Sequence, residues 1–395
     1  MNHHARMLVI LGFAFFCSAL PARASQPLKE WTFLVFLNGH NNLDWYGEMN
    51  VEQMQEIGST SDVNVVVQWA SKMHPTTRRI LVHKGSHDVV EELPRVDMGQ
   101  WQNLVDFVDW GARNYPAKRY FVAIWNHGGG WHRVLTTDGK RSALETQDIS
   151  WDDYTGSKIT TEEMGVAFKE IATRLGQKVD IMGSDACLMA MAEVATEIQD
   201  SVHYMVGSEE VEPGQGWPYS TFLRRWTNAP ASDGAQVSEY LADEYLKAYS
   251  GGIYGTRAVT LSAMDLTKMP AFNRSFANLA RELNSLPAAD MAQAKTIATA
   301  TQDYTFSDYK DVGDFVRRLQ TQPALALSAS ALTNVQAALS DVVIVNRVSS
   351  AFKDSHGMAV WIPTTSWDWS QYQERYRGLK FDQETNWSSA LEKMQ

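Results

Sequence analysis

An α/β fold on a mostly parallel sheet is what the sequence predicts, and three observations carry it. Short apolar runs alternate with helical patterns through the first half of the chain. The runs are apolar on consecutive residues rather than on every second one. The segments between them repeat their apolar residues at three and four. Strands that are apolar on both faces need cover on both, which helices crossing between parallel strands supply.

In chain order, the first strand is expected at Trp31–Leu37, followed by a helix over Leu43–Ile57 and strands at Val63–Trp69 and Arg79–Lys84. A helix over Gln100–Tyr115 stops at Tyr115-Pro116, because the residue before a proline is pushed out of the helical region. The strand Tyr120–Trp125 comes next, then the helix Thr161–Leu175, which ends at Gly176 as a left-handed cap should. Strands at Val179–Gly183 and His203–Gly207 flank a helix expected over Leu188–Gln199. Beyond about residue 226 the pattern turns helix-rich (Ala235–Tyr249, Met269–Leu286, Ala324–Asn346), with strand-like runs at Val259–Met264 and Gly357–Ile362. The expected organisation is a targeting segment over 1–24, an α/β core over 25–225, and a helix-rich region over 226–395 that packs on the sheet and extends it.

Residues 1–24 read as an export signal. Arg6 gives a weakly positive start, Leu8–Leu20 is apolar apart from Gly12 and Ser18, and Ala22-Arg23-Ala24 places small residues where a signal peptidase cuts. The 13-residue run is too short to span a bilayer comfortably, and no later run suits a membrane helix, so no stable membrane anchor is expected after cleavage. Cleavage removes Arg6 and Arg23 and no acid, deepening the net charge from −11 to −13. Such a charge argues against nucleic acid as a partner, which requires Lys/Arg surfaces that release counterions. Cys17 leaves with the signal, so Cys187 remains as the one thiol of an exported chain, with no internal disulfide partner. An unpaired thiol there is either buried and inert or kept for its reactivity.

Two segments carry chemistry. In Tyr120-Phe121-Val122-Ala123-Ile124-Trp125-Asn126-His127-Gly128-Gly129-Gly130, an apolar strand delivers a histidine at its carboxyl end, where open parallel sheets bind ligands. The glycine after it lets backbone N–H groups approach a substrate oxygen, as an oxyanion hole requires. In Val179-Asp180-Ile181-Met182-Gly183-Ser184-Asp185-Ala186-Cys187-Leu188, a second strand ends just before the cysteine, which is expected to open a helix and to have its pKa lowered there. Two neighbouring strands ending in His127 and Cys187 bring the thiol and imidazole of a thiol hydrolase to one rim. Asp185, Glu209, Glu210 and Glu212 add a local excess of acid that suits a guanidinium. Trp125, Trp131 and Trp217 suit core or pocket wall equally.

These two blocks, 60 residues apart, resemble those of the clostripain family of cysteine peptidases, relatives of caspases, legumain and gingipains. Asn38-Gly39-His40-Asn41-Asn42-Leu43-Asp44, the stretch Ser208–Tyr219 and the late run Gly357–Pro363 fit the same resemblance, which spans Trp31 to Pro363. It implies a caspase-like fold and endopeptidase activity after Arg or Lys on protein or peptide substrates. Carried over residue by residue, His127 and Cys187 match the catalytic dyad and Asp185 the acid of the primary specificity pocket. Glu209, Glu210 and Trp217 are further substrate-binding candidates. The N–H groups of Gly128 and Cys187 are expected to hold the oxyanion, and no third orienting residue is evident. No cofactor is expected; calcium is required in parts of the family, and this sequence does not support it. Lys140-Arg141, in the polar insertion Thr136–Gly156, is a candidate for self-cleavage, the other reading being an ordinary surface loop.

Readings from other classes fare less well. A serine esterase lacks its Gly-x-Ser-x-Gly elbow, and a zinc enzyme lacks His-Glu-x-x-His, since Gly128–Gly130 breaks any helical face between His127 and His132. A non-catalytic exported binding protein that keeps the fold stays open. Labelling of Cys187 by a thiol-directed probe with a basic residue separates it from an enzyme.

Overall fold

The computed structural model describes residues 28–132 and 148–395. The export segment with Cys17 and the pair Lys140-Arg141 lie outside the described residues.

Strand β1 (Lys29–Gly39) starts the sheet, and helix α1 (Asp44–Gln55) leads to β2 (Val63–Ser71). The hairpin β3 (Thr77–His83) and β4 (Ser86–Leu93) follows, then α2 (Trp101–Asn114) and β5 (Ala117–Trp125). Next come α3 (Thr161–Leu175), β6 (Val179–Asp185), α4 (Ala192–Ile198) and β7 (Val202–Gly207). Helices α5 (Tyr219–Thr227) and α6 (Gly234–Tyr249) precede the short pair β8 (Ser250–Gly252) and β9 (Gly255–Thr256), and then β10 (Thr260–Asp265). The remainder holds α7 (Met269–Ser285), α8 (Ala288–Ala300), β11 (Tyr309–Asp311), α9 (Val312–Gln320), α10 (Ala329–Val342), β12 (Val343–Val348), β13 (Ala359–Trp361) and α11 (Ser366–Gly378).

Nine strands form one sheet in the order β12-β10-β7-β6-β5-β1-β2-β3-β4. The five central strands run parallel, and both edges turn antiparallel. Side chains alternate between faces, which divides the core in two. Phe33, Val35, Leu37, Phe121, Ala123 and Ile181 pack under α1, α5 and α6. Leu34, Phe36, Val122, Ile124 and Met182 pack under α2, α3 and α4. The mostly parallel α/β sheet with helices on both faces is therefore as the consecutive apolar runs predict.

Several elements differ from the sequence reading, which leaves α5, α8, β11, α9 and α11 unassigned. Strand β4 escapes it because Ser86–Leu93 is largely exposed and charged, as an edge strand guarded against pairing should be. The helix expected over Ala324–Asn346 ends at Val342; the β-branched Val343-Ile344-Val345 continues instead as β12, antiparallel to β10. Residues Ala359–Trp361 pair with β11 in a separate two-stranded sheet. The helix expected from Leu188 begins only at Ala192, and this shift bears directly on the thiol.

Candidate active site

Register sets the geometry. Trp125, the last residue of β5, lies opposite Asp185, the last of β6, so His127 and Cys187 each stand two residues beyond the same rung. The Asn126 N–H donates to the Asp185 carbonyl at 3.2 Å, which ties the two loops together as they leave the sheet. A cavity of about 190 Å³ opens there, lined by Asn42, Trp125, His127, Asp185, Cys187 and Glu212 among others.

The cysteine does not begin a helix. Leu188 takes φ +66°, and its N–H and that of Ala190 donate to the carbonyls of Glu210 and Ser208. Those bonds hold residues 187–191 as a turn against the loop after β7, and the first helical residue is five positions past the thiol. The expected lowering of its pKa is overturned accordingly: burial, reinforced by the charge of Glu212, pushes Cys187 up to about 12. Its Sγ contacts the Glu212 carbonyl at 3.8 Å. His127 is also desolvated, which lowers its pKa, with Asp153 opposing. Thiol and imidazole therefore both rest neutral.

An orienting residue exists that sequence reasoning missed. His127 Nε2 donates to Asn42 Oδ1 at 2.7 Å, across 85 residues of chain. With Nε2 protonated, Nδ1 keeps the lone pair of a base. The loop Asn38–Asp44 was singled out only for resemblance; nothing in its spacing marks Asn42 as a partner of His127, because the contact arises from β1 lying beside β5.

Gly128 packs against the backbone of Cys187, and a Cβ there would come within 2.4 Å of the Cys187 carbonyl oxygen. That is why only glycine fits. Among the described residues neither the Gly128 nor the Cys187 N–H has a backbone acceptor.

Asp185 lies at the base of the cavity, 4 % exposed. Its Oδ2 accepts from the Tyr219 hydroxyl at 2.7 Å and from the Trp217 N–H at 3.3 Å. Gly216, at φ +62°, runs so close to this carboxylate that a Cβ would sit 2.7 Å from Oδ1. Glu212 is buried beside it, with the Trp217 and Tyr245 side chains and the Asp185 carboxyl as its polar neighbours. Burial raises Asp185 to about 7, partly offset by Tyr219 and Trp217. Burial and then the charge of Asp185 raise Glu212 well above the carboxylate range. Among the described residues no Lys or Arg pairs with either acid.

The other candidates sit elsewhere. Glu209 is buried away from the cavity beside Asp311 and Tyr304, and Glu210 binds Thr305 and its neighbour's N–H, so neither lines the site as expected. The Trp217 ring packs in the core against Phe121, and its backbone alone serves Asp185. His132 is fully buried against Tyr309 and Asp308, and Trp131 against Trp361. Among the described residues no three His, Cys, Asp or Glu side chains are grouped to hold a metal ion.

Comparison with known proteins bears on this geometry. The model of the clostripain family matches residues 35–394. Clostripain of Hathewaya histolytica is 32 % identical over 136 residues, 33 % of this chain, and the chain spans only 24 % of that relative's length. A secreted cysteine protease from Bacteroides thetaiotaomicron, solved with an irreversible peptide inhibitor, superposes with a TM-score of 0.66 at 18 % identity, over 92 % of this chain and 99 % of that one. An inactive zymogen protease from Parabacteroides distasonis gives 0.65 at 16 %, over 91 % and 99 %. At such identities these two structures establish a shared fold.

Proposed function

The chain belongs to the clostripain family, and from that premise we propose that it is an exported cysteine endopeptidase cleaving after Arg or Lys. The observation that carries the specificity is the pair Asp185 and Glu212, two acids buried beside the thiol with no cation among the described residues. A substrate guanidinium or ammonium supplies the missing charge.

Cys187 and His127 form the dyad in this reading. The substrate carbonyl lies against the N–H groups of Gly128 and Cys187, and Sγ attacks as its proton passes to His127. The imidazolium then protonates the leaving amine, and water hydrolyses the acyl-enzyme by the same route in reverse. A thiol held near 12 argues for this concerted transfer over a preformed thiolate. Asn42 keeps the ring in the tautomer that can receive the proton.

The test is hydrolysis of a peptide library by the purified mature protein, where cleavage confined to bonds after Arg and Lys is expected. Its pH dependence follows from the pocket. Below about 7, Asp185 keeps its proton and the pocket loses charge, so kcat/KM for an Arg peptide should climb as pH rises through that range. A peptide with a neutral residue before the cut should lack this limb. Identical acid limbs for both peptides would count against Asp185 as the specificity acid.

Export rests on residues 1–24, and no helix among the described residues is long and apolar enough to cross a membrane. Self-cleavage after Arg141 belongs to the same reading. Mass spectrometry should find wild-type protein as two associated fragments and Cys187→Ala as one chain; fully active, uncut wild type would remove this step.

A further inference from the structure

The backbone that carries Gly128 is braced from outside the dyad. Gly129 N–H donates to the Asp148 carbonyl at 2.9 Å and Ser150 N–H to the His127 carbonyl at 3.3 Å, so residues 148–150 pair antiparallel with His127–Gly129. Ile149, at the centre, also exchanges both backbone bonds with Ile159. Asp148 and Ser150 both hold positive φ, 25° and 62°, a conformation that neither residue adopts without support. Ser150 finds that support from Asn38 and the Met98 carbonyl. The Asp148 side chain is fully buried and finds it in Arg375, whose two terminal nitrogens reach its oxygens at 2.5 and 3.3 Å, and in the Thr161 N–H at 3.0 Å. Arg375 comes from α11, far along the chain, and is aimed by Glu162 at 2.6 and 2.8 Å while lying over the Trp131 ring.

We infer that Arg375 is a positioning residue for catalysis, acting through Asp148 to hold the Gly128 N–H where the oxyanion forms. The charged groups around the Asp148 carboxylate are Arg375 and Glu162. Without the guanidinium, a fully buried anion faces only the repulsion of Glu162, and the strand it belongs to braces His127–Gly129 together with the Tyr309 hydroxyl on the Gly129 carbonyl. The cavity at Asp185 is lined from β5, β6 and residues 211–216, and neither Asp148 nor Arg375 touches it, so the expected effect falls on kcat rather than on substrate binding. The inference rests on the Cys187–His127 reading above.

Arg375→Gln is the test. In a variant that melts near the wild type, kcat should fall about 10- to 100-fold on an Arg peptide with KM within about twofold, as expected when a transition-state contact is misplaced. Hydrogen exchange at Gly129 and Ser150 should quicken. The double variant Asp148→Asn/Arg375→Gln removes the unpaired charge and should recover most of the lost kcat and protection, while Arg375→Lys should fall between. If Arg375→Gln proves too unstable, Arg375→Lys carries the same comparison of kcat with KM. A folded Arg375→Gln with wild-type kcat overturns the inference, as does a double variant that recovers nothing. Absence of turnover by the wild type would instead overturn the reading of the site itself.

Discussion

Cys187→Ala should abolish peptide hydrolysis, with a loss of at least about 10⁴-fold, because it removes the covalent path rather than a binding contact. His127→Ala should cost about 10² to 10⁴-fold, the span of a lost general acid–base group. Neither variant should unfold. Among the described residues the thiol's hydrogen-bond partner is the Glu212 carbonyl and the His127 ring's is Asn42, and although Cys187 belongs to the buried core, Ala fills most of its place. Melting temperatures within a few degrees of the wild type are expected. A thiol-directed probe bearing an arginine should label wild-type Cys187 stoichiometrically, and should label the His127→Ala protein far more slowly. The contrast has a definite source: a thiol at about 12 is essentially un-ionised at neutral pH, so its reactivity depends on the neighbouring base. Substantial hydrolysis by purified Cys187→Ala would sink the peptidase reading. A silent probe together with no turnover would favour a binding protein.

The second large effect is in the pocket. Asp185→Asn keeps the shape that Tyr219 and Trp217 hold but removes the charge, and kcat/KM for Arg peptides should drop by about 10²- to 10³-fold. That range corresponds to the roughly 3–5 kcal/mol that follows from leaving one partner of a buried ion pair alone. Lys peptides should fall too, and a neutral residue before the cut should become relatively less disfavoured. Stability should move the opposite way. Burial is the largest cost on the Asp185 carboxylate in the free protein, so neutralising it removes a desolvation penalty, and the variant should melt at or a few degrees above the wild type at pH 8. Glu212→Gln separates the two acids. A variant series in which only Glu212→Gln loses the Arg preference moves the specificity to Glu212; one in which neither does removes the basic pocket altogether.

Much of the frame was legible because it depends on local pattern. Consecutive apolar residues in Trp31–Leu37, Tyr120–Trp125 and Val179–Gly183 can be satisfied only by strands covered on both faces, and those three are adjacent in the sheet. In the structure His127 and Cys187 each stand two residues past a strand end, at Trp125 and Asp185, so their meeting at one rim is a matter of register. Elements without such a pattern were lost. Strand β4 has no apolar face, and β12 continues a helical period until β-branching takes over at Val343.

What the sequence determined by itself is the α/β class, the two side chains proposed to react and Asp185 as an acid near them, since each follows from residues close together in the chain. Only the tertiary structure decided the rest. It placed Asn42 on His127 and Arg375 on Asp148 across 85 and 227 residues, lined the cavity with Glu212 rather than Glu209 or Glu210, and held Leu188 in a left-handed turn that keeps the thiol off a helix end. The physical reason is common to all four: a side chain's partner and its desolvation are set by which distant segments pack against it. Spacing along the chain carries no record of that.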